Sequence, residues 1–212
     1  MCLFLIFAPM ENEKSNILNR VCNLYNNFGI KSITMDDVSR ELGISKKTLY
    51  EHFKDKDDLV SQVFEFEREN VLKKLCEAVS SAQNAIHELF LINKYFSDKI
   101  KNFNPNVDFD LKKYHYKVYE KHKAKVIENM FSYILANLNK GIKEKLYRND
   151  FNPEFIARLH VSRIISIQHS GVFTREELLE KSTHRELIIY HVRGIATIEG
   201  IKVLEKELKN EQ

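Results

Sequence analysis

Two short capped helices joined by a glycine turn are the feature that most constrains this chain. The hydroxyl of Thr34 can cap the first helix, and Gly43 can end it because glycine accepts a left-handed conformation. Ser45 can cap a second helix, which we expect to end near His52. Ile44 would fill the angle between the two helices. This spacing predicts a helix-turn-helix.

A longer helix precedes this pair and completes a three-helix head. Its apolar residues recur at steps of four, three and four, which places them on one helix face. They are Ile17, Val21, Leu24 and Phe28. Gly29 is expected to end this helix. The three helices can therefore enclose a small apolar core.

The second short helix carries the residues that would meet a nucleic acid. In a helix-turn-helix this helix lies in the DNA major groove, with its first residues at the base edges. Those residues are Lys46, Lys47, Thr48 and Tyr50. Lys54 and Lys56 follow at the start of the next helix, where ammonium groups and free amides suit a phosphate. Residues 44–56 hold four lysines against two acids, so positive charge is concentrated there.

Composition favours a helical chain, and the absence of common catalytic motifs argues against an enzyme. With 6 glycines and 3 prolines in 212 residues, the chain has little turn chemistry for a sheet protein. Neither a phosphate-binding loop, a dinucleotide fingerprint nor a nucleophile elbow occurs. The three cysteines lack the spacing of a metal site. Within each of the pairs His115/His122 and His184/His191, the two histidines lie two helical turns apart, too far to bind one metal. We therefore expect no cofactor and no metal.

The first nine residues are apolar but far shorter than the ~20 residues of a membrane helix. They also lack the basic leading region of a secretory signal. The preferred interpretation is that translation starts at Met10, and a hydrophobic clasp on the body is the alternative. We expect a cytoplasmic protein that does not bind a membrane.

Beyond the head the pattern stays helical. The expected helices cover roughly 82–101, 108–147, 153–170 and 184–209, with a short turn of helix at 174–181. We divide the chain into a DNA-binding head, 10–56, and a larger helical body, 57–212. A continuous helix begins near the boundary, so the two parts are expected to move together.

The segment 33–59, ITMDDVSRELGISKKTLYEHFKDKDDL, resembles the TetR/AcrR family of bacterial transcriptional regulators, and the resemblance covers roughly residues 15–60. It implies an all-helical dimer, usually a repressor, whose body binds an inducer and spreads two DNA-binding heads. The family's DNA contacts map onto Thr34, Met35, Lys46, Lys47, Thr48, Tyr50 and Lys56. Many members carry a small residue or proline in place of Lys47 and an aromatic in place of Glu51, so the operator sequence stays open.

Two apolar stripes in the body predict a dimer interface of four helices, two from each subunit, which is the arrangement of the family. The predicted interface residues are Ile156, Leu159, Ile164, Ile188, Val192, Gly194, Ile195, Ile198 and Ile201. Glycine inside a helix costs about 1 kcal/mol relative to alanine, and close approach of a partner helix could offset that cost at Gly194 and Gly200. The alternative is that the stripes only close the core of the monomer.

Aromatic residues between 103 and 135 suggest a ligand cavity, because the family places its cavity among the middle helices. The predicted lining residues are Phe103, Tyr114, Tyr119 and Phe131, with plain core packing as the alternative. The predicted function is a ligand-responsive repressor that binds a palindromic double-stranded operator as a homodimer. A helical protein whose head binds another protein is the competing hypothesis. DNA binding should weaken steeply with salt, whereas binding to a protein partner need not.

Overall fold

The computed structural model describes residues 12–100 and 104–210, and the chain is all-α. The helices of the described part are α1 (Asn12–Phe28), α2 (Met35–Leu42), α3 (Lys46–His52), α4 (Lys56–Val79), α5 (Ala85–Ile100), α6 (Pro105–Tyr114), α7 (Tyr116–Lys143), α8 (Pro153–His169), α9 (Arg175–Leu179), α10 (Lys181–Ile195) and α11 (Ile198–Asn210). None of them is long and apolar enough to cross a membrane. The sequence analysis left open whether residues 1–9 are translated. These residues lie outside the described part.

The described residues form two compact units. Residues 12–74 and 104–126 make the first unit, and residues 75–100 and 127–210 make the second. The first unit contains α1, α2 and α3, the predicted three-helix head, together with α6. The functional division at residues 56 and 57 stays a prediction.

The helix-turn-helix forms as the sequence predicts. Thr34 caps α2 by accepting a hydrogen bond from the amide of Asp37 at 3.1 Å, and the Asp37 carboxylate accepts one from the Thr34 amide at 3.0 Å. Gly43 ends α2 in the left-handed conformation with φ of 70°. Ser45 caps α3 by accepting from the amide of Thr48 at 3.0 Å. All these interactions are local, which is why the sequence specifies them.

The core of the first unit joins the head to α4 and α6. Leu18, Val21 and Leu49 are buried there with Leu59 from α4 and Leu111 from α6. Burying an aliphatic side chain of this kind contributes roughly 1.5–3 kcal/mol. The head therefore shares one apolar core with helices that follow it in the chain.

The second unit encloses a polar network beside its apolar core. Glu88 of α5 is buried and accepts hydrogen bonds from the Tyr133 hydroxyl, the Asn137 amide and the Lys140 ammonium of α7. Asn137 also donates to the carbonyl of Ala85 at 2.9 Å. Because a buried carboxylate without partners is unfavourable, this network fixes α5 against α7.

Two of the expected helices are each broken in two. The helix expected at 108–147 is interrupted at His115, which separates α6 from α7. The helix expected at 184–209 is interrupted at 196–197, where the Thr197 amide donates to the carbonyl of Leu146 at 2.9 Å. The Thr197 hydroxyl accepts from the amide of Gly200 at 3.1 Å and so caps α11. The prediction of one continuous helix is wrong at both places. At 196–197 the reason is that the Thr197 amide makes a tertiary hydrogen bond in place of a helical one.

The two glycines singled out in this region have different surroundings. A Cβ atom at Gly200 would lie 2.1 Å from the backbone oxygen of Leu146, whereas a Cβ at Gly194 would meet nothing within 4 Å. Close approach of another backbone segment therefore explains why position 200 is a glycine. That segment belongs to the same chain and not to a partner helix. Within the chain Gly194 has no steric requirement.

We expect Gly200→Ala to lower the free energy of unfolding by about 1–3 kcal/mol, because the new methyl group collides with fixed backbone. Gly194→Ala is the matched control and should raise stability by up to about 1 kcal/mol through helix propensity. Urea unfolding followed by circular dichroism measures both. Equal midpoints for the two variants would contradict the close approach at Gly200.

Candidate nucleic-acid interface

Helix α3 has one buried side and one exposed side. Leu49 is 0% exposed and lies in the core of the first unit, whereas Tyr50 is 51% exposed. Lys46 and Lys47 at the start of α3 are exposed as well. Burial of Leu49 therefore fixes the rotation of α3 and directs the predicted base-contacting residues to solvent.

The two lysines of α3 differ in their surroundings. The Lys46 ammonium lies 2.6 Å from a carboxylate oxygen of Asp36 in α2, and both side chains are exposed. Lys47 pairs with no carboxylate within the described part of the chain. Because exposed ion pairs contribute little, a phosphate could replace Asp36 at small cost. Both cations are therefore available to a duplex.

The threonines of the predicted interface are occupied with helix capping. The Thr34 hydroxyl donates to the Asp37 carboxylate at 2.6 Å, and this hydrogen bond lowers the pKa of Asp37. The Thr48 hydroxyl lies 2.9 Å from that of Ser45. Both threonines stand in the first turn of a helix, beside amides that favour an anion. Their role as DNA contacts stays a prediction.

Met35, predicted to lie at the DNA-facing start of α2, has a buried side chain, and its contact with DNA stays a prediction. Met35 is buried in the core of the first unit, together with Val38. Its apolar side chain stabilises the packing of α2 and is not presented to solvent. Only the polar residues around it, Thr34 and Asp36, are exposed at the start of α2.

Lys54 and Lys56 were both predicted to meet phosphates, and their side chains are placed differently. Lys54 is exposed. Lys56 begins α4 half-buried, its ammonium donates to the carbonyl of Ile30 at 2.8 Å, and burial lowers its pKa. An ammonium has three N–H donors, so a phosphate contact through the remaining ones stays a prediction. One established role of Lys56 is to hold α4 against the turn after α1.

Helix α6 is fixed to the head by contacts that the sequence did not reveal. The Asp110 carboxylate accepts from the backbone amide of Lys31 at 2.8 Å, and the Asn104 amide donates to the carbonyl of Asn26 at 2.9 Å. At the end of α6, Nδ1 of His115 lies 2.5 Å from a carboxylate oxygen of Asp57. These partners are 79, 78 and 58 residues apart in sequence. A local pattern carries no signal for such pairs.

The predicted dimer residues separate into three groups. Leu159 is 56% exposed, Ile198 is 82% exposed, and Gly194 is exposed. Four residues are half-buried against the core of the second unit: Ile156, Ile164, Ile188 and Ile201. Val192 at 0% and Ile195 at 4% exposure lie inside that core. For these two, assignment to the interface is wrong, because their side chains offer no surface to a partner.

The predicted pocket residues differ in their exposure and in the side chains that they contact. Tyr114 is exposed, and the Lys31 ammonium lies 5.0 Å from its ring centroid. Tyr119 packs against the core of the first unit, and Phe131 packs against the core of the second. Phe103 lies outside the described residues. Their assignment to a ligand cavity stays a prediction.

Two histidines of the second unit, His160 and His191, lie against each other with their rings tilted. The rings of His160 and His191 lie 3.8 Å apart, and burial lowers the pKa of His160 to about 2 and that of His191 to about 4. Arg163 reaches Nδ1 of His160 at 3.1 Å and can only donate, so this nitrogen accepts and the ring is neutral. In the described part, no three His, Cys, Asp or Glu side chains are grouped to hold a metal.

Residues 17–63 match the family model described as bacterial regulatory proteins, tetR family. An uncharacterised HTH-type transcriptional regulator of Bacillus subtilis, YvaF, is 28% identical over 157 residues, which cover 70% of this chain and 80% of YvaF. A second one, YhgD of the same organism, is 26% identical over 196 residues, covering 87% of this chain and 97% of YhgD.

Solved structures show the same fold. A transcriptional regulator from Cytophaga hutchinsonii superposes with a TM-score of 0.76 at 17% identity, over 88% of this chain and all of the other. A TetR-family regulator from Agrobacterium tumefaciens gives a TM-score of 0.64 at 15% identity, over 87% of this chain and 98% of the other.

We expect Lys56→Ala to lower the free energy of unfolding by about 1–3 kcal/mol, because the hydrogen bond between the ammonium and the Ile30 carbonyl is lost. Lys54→Ala removes the same charge from an exposed position and should change stability by less than about 0.5 kcal/mol. Chemical unfolding measures both variants. If Lys56→Ala unfolds at the same denaturant concentration as Lys54→Ala, the hydrogen bond does not stabilise the head.

Proposed function

Because the chain belongs to the TetR/AcrR family of bacterial transcriptional regulators, which bind DNA and are not enzymes, we propose that it acts as a ligand-responsive repressor. In this proposal a homodimer binds a palindromic double-stranded operator in the cytoplasm. Each subunit places α3 in the major groove of one half-site. A small-molecule inducer bound by the body then releases the DNA.

The observation that carries the proposal is the arrangement of α3. Its cations Lys46 and Lys47 and the Tyr50 ring are exposed on one side, while Leu49 is buried on the other. A helix with this arrangement can enter a groove without unpacking the core. Lysine can donate to guanine O6 and N7 or to phosphate, and the tyrosine hydroxyl can donate to phosphate.

Exposed apolar side chains of the second unit support the dimer. Phe155 and Leu159 lie one turn apart on α8, and Tyr190 of α10 and Ile198 of α11 are exposed as well. Large exposed apolar side chains are typical of an interface when they lie together on the surface. A two-fold dimer would also place two α3 helices about 34–36 Å apart, the spacing of successive major grooves on one side of a duplex.

Ligand response requires two states of the dimer with different affinities for the inducer. A ligand shifts such an equilibrium only by as much as it prefers one state over the other. Phe131, which packs against the core of the second unit, is the proposed contact for an apolar or aromatic ligand.

We expect Lys47→Ala to weaken binding to the cognate operator by about 1–3 kcal/mol and to relax discrimination between operator variants, provided that Lys47 donates to a base edge. The operator comes from selection of bound genomic fragments, and fluorescence anisotropy measures the affinity. Lys46→Ala should have a similar effect. Unchanged sequence preference in both variants would assign the two lysines to phosphates instead.

The same titrations separate the proposal from a head that binds protein. Affinity of the wild-type chain for DNA should fall steeply between 50 and 200 mM salt, by roughly threefold for each phosphate that the protein neutralises. Lys73→Ala, an exposed position on α4, serves as the charge control and should leave operator discrimination intact. A chain that binds no duplex at low salt would contradict the proposed function.

We expect Leu159→Glu and Ile198→Glu each to convert the dimer to a monomer of 25.0 kDa, because a charge would be buried in an apolar interface. Light scattering coupled to size-exclusion chromatography measures the mass. Val172→Glu is the control, because Val172 is apolar and 78% exposed but lies outside the proposed interface. A wild-type monomer, or glutamate variants that keep the dimer mass, would contradict this interface.

A further inference from the structure

The greatest concentration of positive charge is not on α3. Residues 112–125 hold six lysines and a single acid, Glu120, an excess of five charges in a chain whose net charge is +3. By comparison, residues 44–56 around α3 have an excess of two. The cationic segment covers the end of α6 and the beginning of α7, both in the first unit with the head. The proposed function does not use this charge.

Five of these lysines are exposed, and together we call them the α6–α7 lysine surface. Its members are Lys112, Lys113, Lys117, Lys121 and Lys123. None of the five pairs with a carboxylate of the residues that the structure describes. Lys125 differs, because its ammonium lies 2.6 Å from a carboxylate oxygen of Glu65. The surface therefore presents cations that are not neutralised by neighbouring acids.

Aromatic rings, rather than acids, lie beside three of these lysines. The Lys113 ammonium lies 5.2 Å from the ring centroid of Phe109 and 5.4 Å from that of Tyr114. Lys112 and Lys123 lie 6.0 and 5.7 Å from the centroid of Tyr119. A ring face attracts an ammonium without neutralising it. These three lysines are thus held in place while their charge remains available to an anion.

The surface is continuous with the head. Lys31, in the turn that leads to α2, lies 5.0 Å from the ring centroid of Tyr114. The pKa of the Tyr114 hydroxyl is lowered, chiefly by a hydrogen bond from Lys31 and also by the charge of Lys113. Lys31 stands three residues before Thr34, the cap of α2. The positive surface therefore extends from α6 to the start of the helix-turn-helix.

The position of the surface relative to the head is fixed by hydrogen bonds. Asp110 of α6 accepts from the Lys31 amide at 2.8 Å, and His115 between α6 and α7 contacts Asp57 of α4. The backbone that carries Lys112, Lys113 and Lys117 lies between or directly beside these two anchors. These anchors therefore hold the lysines beside them in a defined position relative to the head.

We propose that the α6–α7 lysine surface binds backbone phosphates of the same DNA duplex that α3 reads, beside the segment that α3 occupies. This inference rests on the proposed function and extends the contact area beyond the helix-turn-helix. A duplex carries a regular array of phosphates, and lysine and tyrosine side chains both bind them. Continuity with the head through Lys31 favours DNA over an anionic lipid surface, because the polyanion held by the head is already adjacent.

The test compares two double variants on a 40-base-pair duplex of mixed sequence. Lys113→Ala combined with Lys117→Ala removes two cations from the surface. Lys73→Ala combined with Lys74→Ala removes two exposed cations from α4, about 25 Å along that helix from Lys56. Anisotropy titrations between 50 and 200 mM salt give the affinity and its salt slope. Because non-specific binding is electrostatic, the operator sequence is not needed.

We expect the surface variant to bind at least about tenfold more weakly than wild type at 0.1 M salt, with a salt slope smaller by about two for each chain bound. The α4 variant should match wild type. Lys113→Arg combined with Lys117→Arg keeps both charges and should restore affinity, which separates loss of charge from misfolding.

Three results would overturn the inference. A surface variant with wild-type affinity and slope would show that the surface does not touch DNA, while the proposed function would stand. An equal loss of DNA affinity in the α4 variant would show that the effect comes from the net charge of the chain and not from the α6–α7 lysine surface. Unchanged DNA binding, with binding to phosphatidylglycerol vesicles lost only in the surface variant, would assign the surface to lipid. Failure of the wild-type chain to bind any duplex is a separate outcome that contradicts the proposed function as well.

Discussion

Burial of Leu49 is the interaction on which the geometry of the DNA-binding surface depends. Its side chain is 0% exposed and packs in one core with Phe53 and Leu59, so α3 cannot rotate without opening that core. The side of α3 opposite Leu49 must then face solvent. Lys46 and Lys47 are therefore exposed because of the apolar packing on the other side of α3. No contact made by the lysine side chains themselves is needed to expose them.

Polar contacts add a second constraint, since they connect the head to helices that follow much later in the chain. Asp110, His115 and Lys56 each make a hydrogen bond or a close polar contact with a residue of another element. A hydrogen bond of this kind contributes about 0.5–1.5 kcal/mol to stability. The first unit is therefore more than a three-helix head, because α6 and the start of α4 are integral to it.

How much of the fold could be predicted from the sequence depends on how far apart in the chain the interacting residues lie. The caps at Thr34 and Ser45 and the turn at Gly43 are set within a few residues, and the structure confirms all three. The burial of Met35 and Val192 depends on which elements surround them, so an apolar residue on a helix did not reveal whether it faces a core or a partner.

The same limit applies to Gly200 and to the candidate site. The backbone that approaches Gly200 belongs to Leu146, more than fifty residues earlier in the chain. The exposed lysines and Tyr50 of α3 could be predicted, because each follows directly from the capped helix and its single inward leucine. The occupied ammonium of Lys56 could not, because its partner Ile30 lies 26 residues away.

Hydrogen–deuterium exchange measured by mass spectrometry, with and without a bound duplex at low salt, tests most directly whether α3 is the DNA-reading helix. Slower exchange of the amides in residues 45–52 and at the start of α2 on DNA binding, with exchange in residues 198–210 unchanged, is the expected result. A duplex that binds the chain but leaves exchange in residues 45–52 unaltered would contradict this assignment.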